Sequence, residues 1–596
     1  MRPRDFGPHV AFETLCGRVP LHGGVAPALY KAAASKTWDA VLSGEHCDIA
    51  IDGYLVLDGR LLLGRSADER QRVAREIEHD LGAFLRRIDN GFFNIVVHDR
   101  RQRTTRIAND RFGGLPLYLR DERTSLLFAS SFAGMVELAA PPLQHDPVGL
   151  AELYWFGYQL GERTAWRGVE RLPAGSVLSI GWDDGQRRLE HHGDVAPASA
   201  PSFASPAAAA DHLFETMRAA LAALQRDDAV YAVKLSAGMD SRFIGAAWPG
   251  RGLRSYTFGH PDSQELAVAG RLAAALGTAH TPVPLHGDFF GTLHAPLFAR
   301  QGIVEWFHQA LVPAMQRDGV DLVLDGLAGD VIVGGLTLKR LQSRWRQALG
   351  LPPDVRQLPS GSDGIARYLV ESVKVPDAGY RPLTHEALAA VNAHWDDIRH
   401  DMVGEVKRVE RAGTTLEQVC SQVIFNNRTR RHISLQGSVC RPEVETLYPF
   451  LDRRFLALLG AFPTRWVASK RLYLELYARH YAQVRKVPST HSMLPFSAAP
   501  PLHLGGRVLR YGLERAGGWV MQRTGGRRHP WLSDGVPWRR WLAFDPALQD
   551  GARAWLQPST VFDAQAHERA LAQLRRRPAF SGTRFMYTAS YCAYFR

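Results

Sequence analysis

The sequence predicts an α/β protein of more than one domain, and three observations carry that reading. The chain has 596 residues, too many for a single core, so two or three domains are expected. The stretch Ala229–Phe243, AVYAVKLSAGMDSRF, reads as a buried strand, a loop of small residues and the start of a helix. Residues 1 to about 200 carry mainly strand patterns. Apolar residues are 45% and charged residues 22%, which places the chain among soluble globular proteins rather than disordered ones.

The central stretch is built as follows. Val230, Tyr231 and Val233 are β-branched or aromatic, so Val230–Leu235 favours a strand. Ser236, Ala237 and Gly238 allow a tight turn with open backbone N–H groups, and Ile244–Trp248 forms the first turns of a helix. Unpaired N–H groups and a helix dipole aimed at one spot make an anion site, to which Ser236 and Ser241 add hydroxyls. The Asp240 carboxylate would repel a phosphate directly, so its better role is to hold a cation. The same residues also suit an ordinary strand–turn–helix of any α/β protein. Arg254–Gly259, RSYTFG, reads as a second strand, and Asp262–His280 as a helix, a short turn and a histidine.

SAGMDS, Ser236–Ser241, resembles the S-x-G-x-D-S pyrophosphate loop of ATP pyrophosphatases, and the order of the surrounding elements is similar to the synthetase domain of the asparagine synthetase family. Upstream, Gly91-Phe92-Phe93, then Asp110–Tyr118 (DRFGGLPLY), then Phe128–Ser131 (FASS) resemble the N-terminal glutaminase-type domain of class B asparagine synthetases. The matches run from Asn90 to about Pro495. The resemblance implies an Ntn-type αββα sandwich over residues 1–190, a linker over 191–210, an ATP-pyrophosphatase domain with a parallel sheet flanked by helices over 211–500, and a helical C-terminal extension over 501–596.

In order along the chain, Ile49–Leu57 and Arg60–Leu63 form a hairpin about Asp58-Gly59, and Ala74–Leu85 is a helix. Gly91–His98 and Thr105–Asn109 are strands, and Gly161–Val177 closes the domain. Arg187–Ala210 turns rich in Ala, Pro and Ser, the mark of a linker, and Ala207–Leu224 is a helix leading into the central strand. Asp321–Gly335, DLVLDGLAGDVIVGG, sets the strand Leu322–Leu324 before a Gly-containing loop. It is similar to the family's S-G-E-G-A-D-E-x-F-G-G loop, with Gly326 within it and Asp330 at the metal-binding Asp; a turn or N-cap carboxylate is the plainer alternative for Asp330. Asn426–Asp452 resembles the family's N-R-x-x-R segment followed by E-x-R-x-P-F-L-D, so Asn427, Arg428 and Arg431 are candidates to shape a substrate pocket. Arginines on a helix surface are more often solvated. In Lys470–Pro495 a lysine is expected to stabilise the transition state, with Lys486 the better positional match and Lys470 the runner-up. Arg507–Gly517 and His567–Arg576 read as helices with no chemistry assigned.

The resemblance implies ATP and Mg²⁺ as cofactors. Leu235–Ser241 (Leu235, Ser236, Ala237, Gly238, Met239, Asp240, Ser241), Phe258, Gly259 and Gly326 would bind the nucleotide, Asp240 and Asp330 the metal, with Lys486, Asp240 and Asp330 catalytic. Mg²⁺ takes carboxylates together with phosphate oxygens, which suits that pair. Three departures from the family pattern matter. Arg2 stands where glutamine-hydrolysing members carry the cysteine nucleophile after Met1, and Cys16 is not N-terminal, so no glutaminase activity is expected. Leu327 occupies the position of a Glu that handles the substrate amine. Leu447 replaces an Arg. These departures are similar to β-lactam and carbapenam synthetases and to lasso-peptide cyclases, which use an amine already on the substrate.

The leading expectation is therefore an AMP-forming amide ligase acting on a small molecule or peptide, peptide macrolactam formation slightly ahead, with a precursor peptide and a processing protease as partners. Asparagine synthetase proper, a tailoring enzyme of another secondary pathway, and a degenerate binding protein are the alternatives. The net charge of +12 suits an anionic substrate, and no nucleic-acid-binding pattern accompanies it. Five scattered cysteines argue against a disulfide framework or zinc site. No secretory signal and no apolar run of the ~18 to 20 residues that span a membrane is read, so the cytoplasm is expected.

Overall fold

The computed structural model describes the chain from Leu15 to Phe595, apart from 23–26, 32–36, 39–40, 140–141, 194–200, 289–306, 335–357, 376–379, 526–534, 577–581 and positions 412, 442, 468, 469, 491 and 499. Arg2, Gly335 and the middle of the expected linker lie outside the described residues.

Two antiparallel sheets form the N-terminal part. The first contains β1 (Leu15–Pro20), β2 (Ala28–Lys31), β8 (Tyr118–Asp121), β9 (Ser125–Ala129) and β10 (Val169–Arg171), in the order β10-β8-β9-β1-β2. The second contains β3 (Leu42–Ser43), β4 (Cys47–Leu57), β5 (Arg60–Leu62), β6 (Ile88–Asp99), β7 (Thr104–Asn109), β11 (Ser176–Gly181) and β12 (Arg187–His191). The alternation of side chains along these strands builds the layers. Ala50, Val96, Ile107 and Ile180 face Val19, Leu126 and Phe128 across the space between the sheets. The neighbours Ile49, Ile51, Ile95 and Val97 point the other way, onto Val73, Ile77 and Leu81 of α1 (Ala67–Arg86). On the far face of the first sheet, Tyr118, Leu127 and Ala129 pack on Phe132 and Met135 of the helix Phe132–Leu138. The result is the αββα sandwich. Its β4–β5 hairpin turns through Asp58 (φ +49°) and Gly59 (φ +73°), the left-handed pair that a two-residue hairpin needs.

The second part is a five-stranded parallel sheet in the order β15-β14-β13-β16-β17, comprising β13 (Tyr231–Lys234), β14 (Arg254–Gly259), β15 (Ala279–Pro284), β16 (Leu322–Leu324) and β17 (Glu445–Leu447). β13, β16 and β17 are buried throughout, as expected for strands covered on both faces. β15 is the half-exposed edge, and Pro282 and Pro284 leave it fewer N–H groups to offer. Around the sheet stand α3 (Pro206–Ala223), α4 (Asp240–Ala247) and α5 (Gln264–Leu276), following α2 (Pro147–Phe156) of the first part. Farther along the chain come α6 (Gly329–Ile332) and α7 (Arg471–His480).

The two parts are joined by a buried polar seam. The nine-residue π-helical stretch Phe425–Ile433 carries it. Arg430 makes a bidentate pair with Glu162 (3.1 and 3.2 Å) and donates to Gly113 O and Leu172 O. Arg431 donates to the carbonyls of Gly161 and Arg163, and Gly161 N donates to Asn427 Oδ1 at 2.8 Å. Tyr54 OH accepts from Tyr448 N at 3.0 Å, and Asn90 Nδ2 donates to Tyr448 O at 3.1 Å. Asn427 and Arg431 therefore tie the two parts together rather than shape a pocket. After residue 500 the described elements are helical. Buried Arg584 there donates to the carbonyls of Tyr154 and Val375, and Tyr591 meets Tyr154 ring to edge on α2.

Candidate active site

A cleft of about 610 Å³ opens at the carboxyl ends of β13, β14 and β16, where open parallel sheets bind ligands. Leu235, Ser236, Asp240, Ser241, Phe258 and Gly326 line it. Ala237 is buried beneath, Gly238 N donates to Ser236 Oγ at 3.1 Å, and Gly259 closes β14. Ser236 Oγ and Ser241 Oγ are 3.1 Å apart, and Ser241 Oγ also accepts from Ser236 N. The loop is thus folded on its own hydroxyls at the start of α4. Met239 O accepts from Tyr477 OH at 2.6 Å, which anchors the loop to α7.

Both predicted metal carboxylates line this cleft. Asp240 begins α4, and its Oδ1 accepts from Tyr473 OH. Burial, and then the Asp240 charge, push the Tyr473 phenol far above its ordinary value, so it stays a donor. Asp330 lies in the first turn of α6, reached through Ala328, whose φ of +73° turns the chain sharply. Two glycines let this loop approach α4: a Cβ on Gly326 would stand 3.0 Å from Asp240 Cβ, and one on Gly329 would stand 2.7 Å from Asp240 Cγ.

Of the two lysines, Lys470 is the one that meets a predicted metal carboxylate. Lys470 Nζ donates to Asp330 Oδ1 at 2.5 Å. Lys486 is exposed. The cause lies in the segment that carries it. The guanidinium of buried Arg242 takes the carbonyls of Val484, Val487 and Pro488 (2.8–3.0 Å), which fixes the backbone there and leaves Lys486 facing outward.

Leu327, buried at 3% exposure on the loop that leads to Asp330, also lines the cleft, as do Arg428 and Thr429 from the π-helical stretch. At the base are Lys234, Asp325 and His308, which sequence reasoning missed. Burial opposes ionisation of Asp325, but the Lys234 charge holds its carboxyl below the usual range.

The two carboxylates share one cleft with the loop Ser236–Ser241, which suits Mg²⁺ held between carboxylates and phosphate oxygens.

The loop Ser236–Ser241 and the carboxylates of Asp240 and Asp330 thus meet at the mouth of a parallel sheet that follows an αββα sandwich, an arrangement of the synthetase type. Comparison with protein families matches a glutamine amidotransferase domain over residues 76–191 and asparagine synthase over residues 212–474, together well over half of the chain. The chain belongs to the asparagine synthetase family, a family of ATP-dependent, amide-forming ligases. No curated protein matches it. Among solved structures it is similar to the allosteric regulatory enzyme of purine biosynthesis (10% identity, 46% of this chain and 75% of that one, TM-score 0.20). It is also similar to glutamine phosphoribosylpyrophosphate amidotransferase from B. subtilis (13% identity, 56% and 72%, TM-score 0.20). Among the described residues no helix is long and apolar enough to cross a membrane.

Proposed function

We propose that this protein adenylates a substrate carboxylate and couples it to an amine on the same molecule, releasing pyrophosphate and AMP. The observation that carries the reading is the meeting of Ser236–Ser241, Asp240 and Asp330 in one cleft that the apolar Leu327 also lines. A carboxylate oxygen attacks the α-phosphorus, and the bond to the bridging oxygen of pyrophosphate breaks. The amine then attacks the acyl carbon, the bond to the AMP oxygen breaks, and the amine loses a proton. Ser236 and Ser241, with the N–H groups between them, cradle the departing pyrophosphate. Asp240 and Asp330 would hold Mg²⁺, which supplies charge neutralisation on the phosphates. Lys470, poised on Asp330, provides the cation that meets charge growing on the phosphoryl oxygens.

Leu327 neither binds an ammonium nor moves a proton, which favours an amine brought by the substrate over free ammonia. A peptide closing on its own N-terminus is the leading substrate class, with a precursor peptide and a processing protease as partners and the cytoplasm as the compartment. The N-terminal domain serves as scaffold without glutaminase activity: Cys16 sits buried within β1, paired on both sides.

The test is mass spectrometry of purified protein with Mg-ATP and either a candidate precursor peptide or aspartate with ammonia or glutamine. AMP, pyrophosphate and a peptide product lighter by one water are expected, and Asp240→Asn or Asp330→Asn should abolish them. Asparagine as the product would return the protein to asparagine synthesis. Wild-type turnover in both variants would remove the metal assignment.

A further inference from the structure

Three polar groups at the base of the cleft have no part in the steps above. Lys234 ends β13 just before the phosphate loop, and Asp325 follows β16 just before Gly326. β13 and β16 run parallel with Val233 opposite Leu324, so Lys234 and Asp325 stand side by side. Lys234 Nζ lies 3.1 Å from Asp325 Oδ2, donates to Gly437 O at 3.1 Å and lies 3.3 Å from His308 Nδ1. Asp325 Oδ2 is 3.7 Å from that same nitrogen, too far for a hydrogen bond. An ammonium only donates, so Nδ1 accepts, and the proton of the neutral ring sits on Nε2. The ring is neutral because burial, and then the Lys234 charge, push its pKa down to about 4. The His308 side chain keeps 26% exposure, while those of Lys234 and Asp325 keep 7% and 12%. His308 lines the cleft with Phe258, whose ring centroid is 5.3 Å from the imidazole, while its Nδ1 is turned to Lys234.

We propose that His308 contacts the bound substrate: its Nε2–H, fixed by Lys234 at Nδ1, is an aimed hydrogen-bond donor to an oxygen of the acyl-adenylate, and Lys234 with Asp325 is the positioning pair that sets this tautomer. The inference rests on the cleft being the nucleotide site. A neutral donor is suited to this place, since it meets a growing oxyanion without itself changing protonation state.

The experiment compares His308→Gln, which keeps an amide donor near Nε2, with His308→Asn, which offers one near Nδ1, and His308→Phe, which keeps the ring alone. AMP formation is read as kcat and KM separately. Asn and Phe should lower kcat by roughly 10- to 100-fold with KM for ATP little changed, and Gln should recover most of the loss. Equal losses in Gln and Asn, or wild-type rates in Asn, would overturn the proposal; the Gln/Asn contrast holds even if the Phe variant does not fold. In parallel, the full-length protein with ¹⁵N-labelled histidine is compared with Lys234→Met. The His308 signal, identified by its loss in His308→Gln, should show a bare Nδ1 that Lys234→Met allows to gain a proton. A protonated Nδ1 in the wild type would overturn the proposal whatever the rates. Calorimetry with Mg-ATP separates the two readings: no nucleotide binding by the wild type sinks the ligase assignment and the substrate contact with it, while the spectrum alone still judges the Lys234–His308 geometry.

Discussion

Gly329→Ala tests whether the loop bearing Asp330 must touch Asp240. A Cβ at Gly329 would stand 2.7 Å from both Cγ and Oδ1 of Asp240 and 2.9 Å from Cε2 of Phe450. Ordinary contact begins near 3.4 Å, so the Asp240 carboxylate or the loop must yield by about 0.7 Å. Neither is free to do so. Asp240 is held by Tyr473 OH and starts α4, and Asp330 is tied to Lys470. Overpacking of this kind costs ~1–3 kcal/mol of stability. Misplacing a reacting geometry by an ångström costs on the order of 10²-fold in rate. The expected phenotype is thus a folded protein, somewhat less stable, that forms AMP on the order of 100-fold more slowly. Gly270→Ala is the companion: it lies inside α5 with nothing within 4 Å of its added Cβ, and it should raise stability by up to about 1 kcal/mol and leave turnover alone. Thermal melts and AMP release are measured on both. A Gly329→Ala protein with wild-type turnover would refute the contact as a functional constraint.

Other outcomes follow from buried charge. Arg430→Met takes from buried Glu162 its bidentate partner, leaving it Arg408 at 3.6 Å, and removes one of the donors to Gly113 O and Leu172 O, so urea denaturation should show a loss of ~3–5 kcal/mol; a change under about 1 kcal/mol would mean the seam is not coupled to folding. Acidification should also destabilise. Burial lowers the pKa of His98 to about 4, His432 to about 3 and His567 to about 4, against an ordinary 6.5. The unfolded chain therefore binds protons that the folded one refuses, so this stability is whole above pH 6.5 and drains as pH falls toward 4, by up to about 1.4 kcal/mol per pH unit for each group. Asp110, pushed up to about 6 by burial, works with the opposite sign, as does buried Glu152, but the histidines outnumber them. Urea midpoints at pH 7 and pH 5 decide it, and an equal or higher midpoint at pH 5 would contradict the reading.

Much of the cleft was legible because its signals are local. The apolar run into Ser236–Ser241, the strand Arg254–Gly259 and the strand Leu322–Leu324 each sit within a few residues, and the structure places them at those positions. What escaped depends on residues far apart in sequence. Lys234 reads as the polar end of a strand until parallel register sets it beside Asp325. Arg431 reads as a pocket candidate or a solvated helix arginine, yet it and Arg430 are buried because their acceptors come from the loops at 113 and 161–172. Lys486 has the better spacing, but the left-handed turn at Lys470 (φ +58°) and the grip of Arg242 decide which lysine arrives.

The arginine seam also bears on what can be taken away from this molecule. Arg430 and Arg431 draw their acceptors from the sandwich, while Tyr54 and Asn90 of the sandwich bond to the backbone at Tyr448, beside β17. Cutting the chain at its natural-looking joint would not release a smaller synthetase. It would expose guanidinium groups stripped of acceptors and a π-helical stretch with one side bare. The sandwich thus serves as masonry, because the neighbouring wall of the cleft is mortared to it.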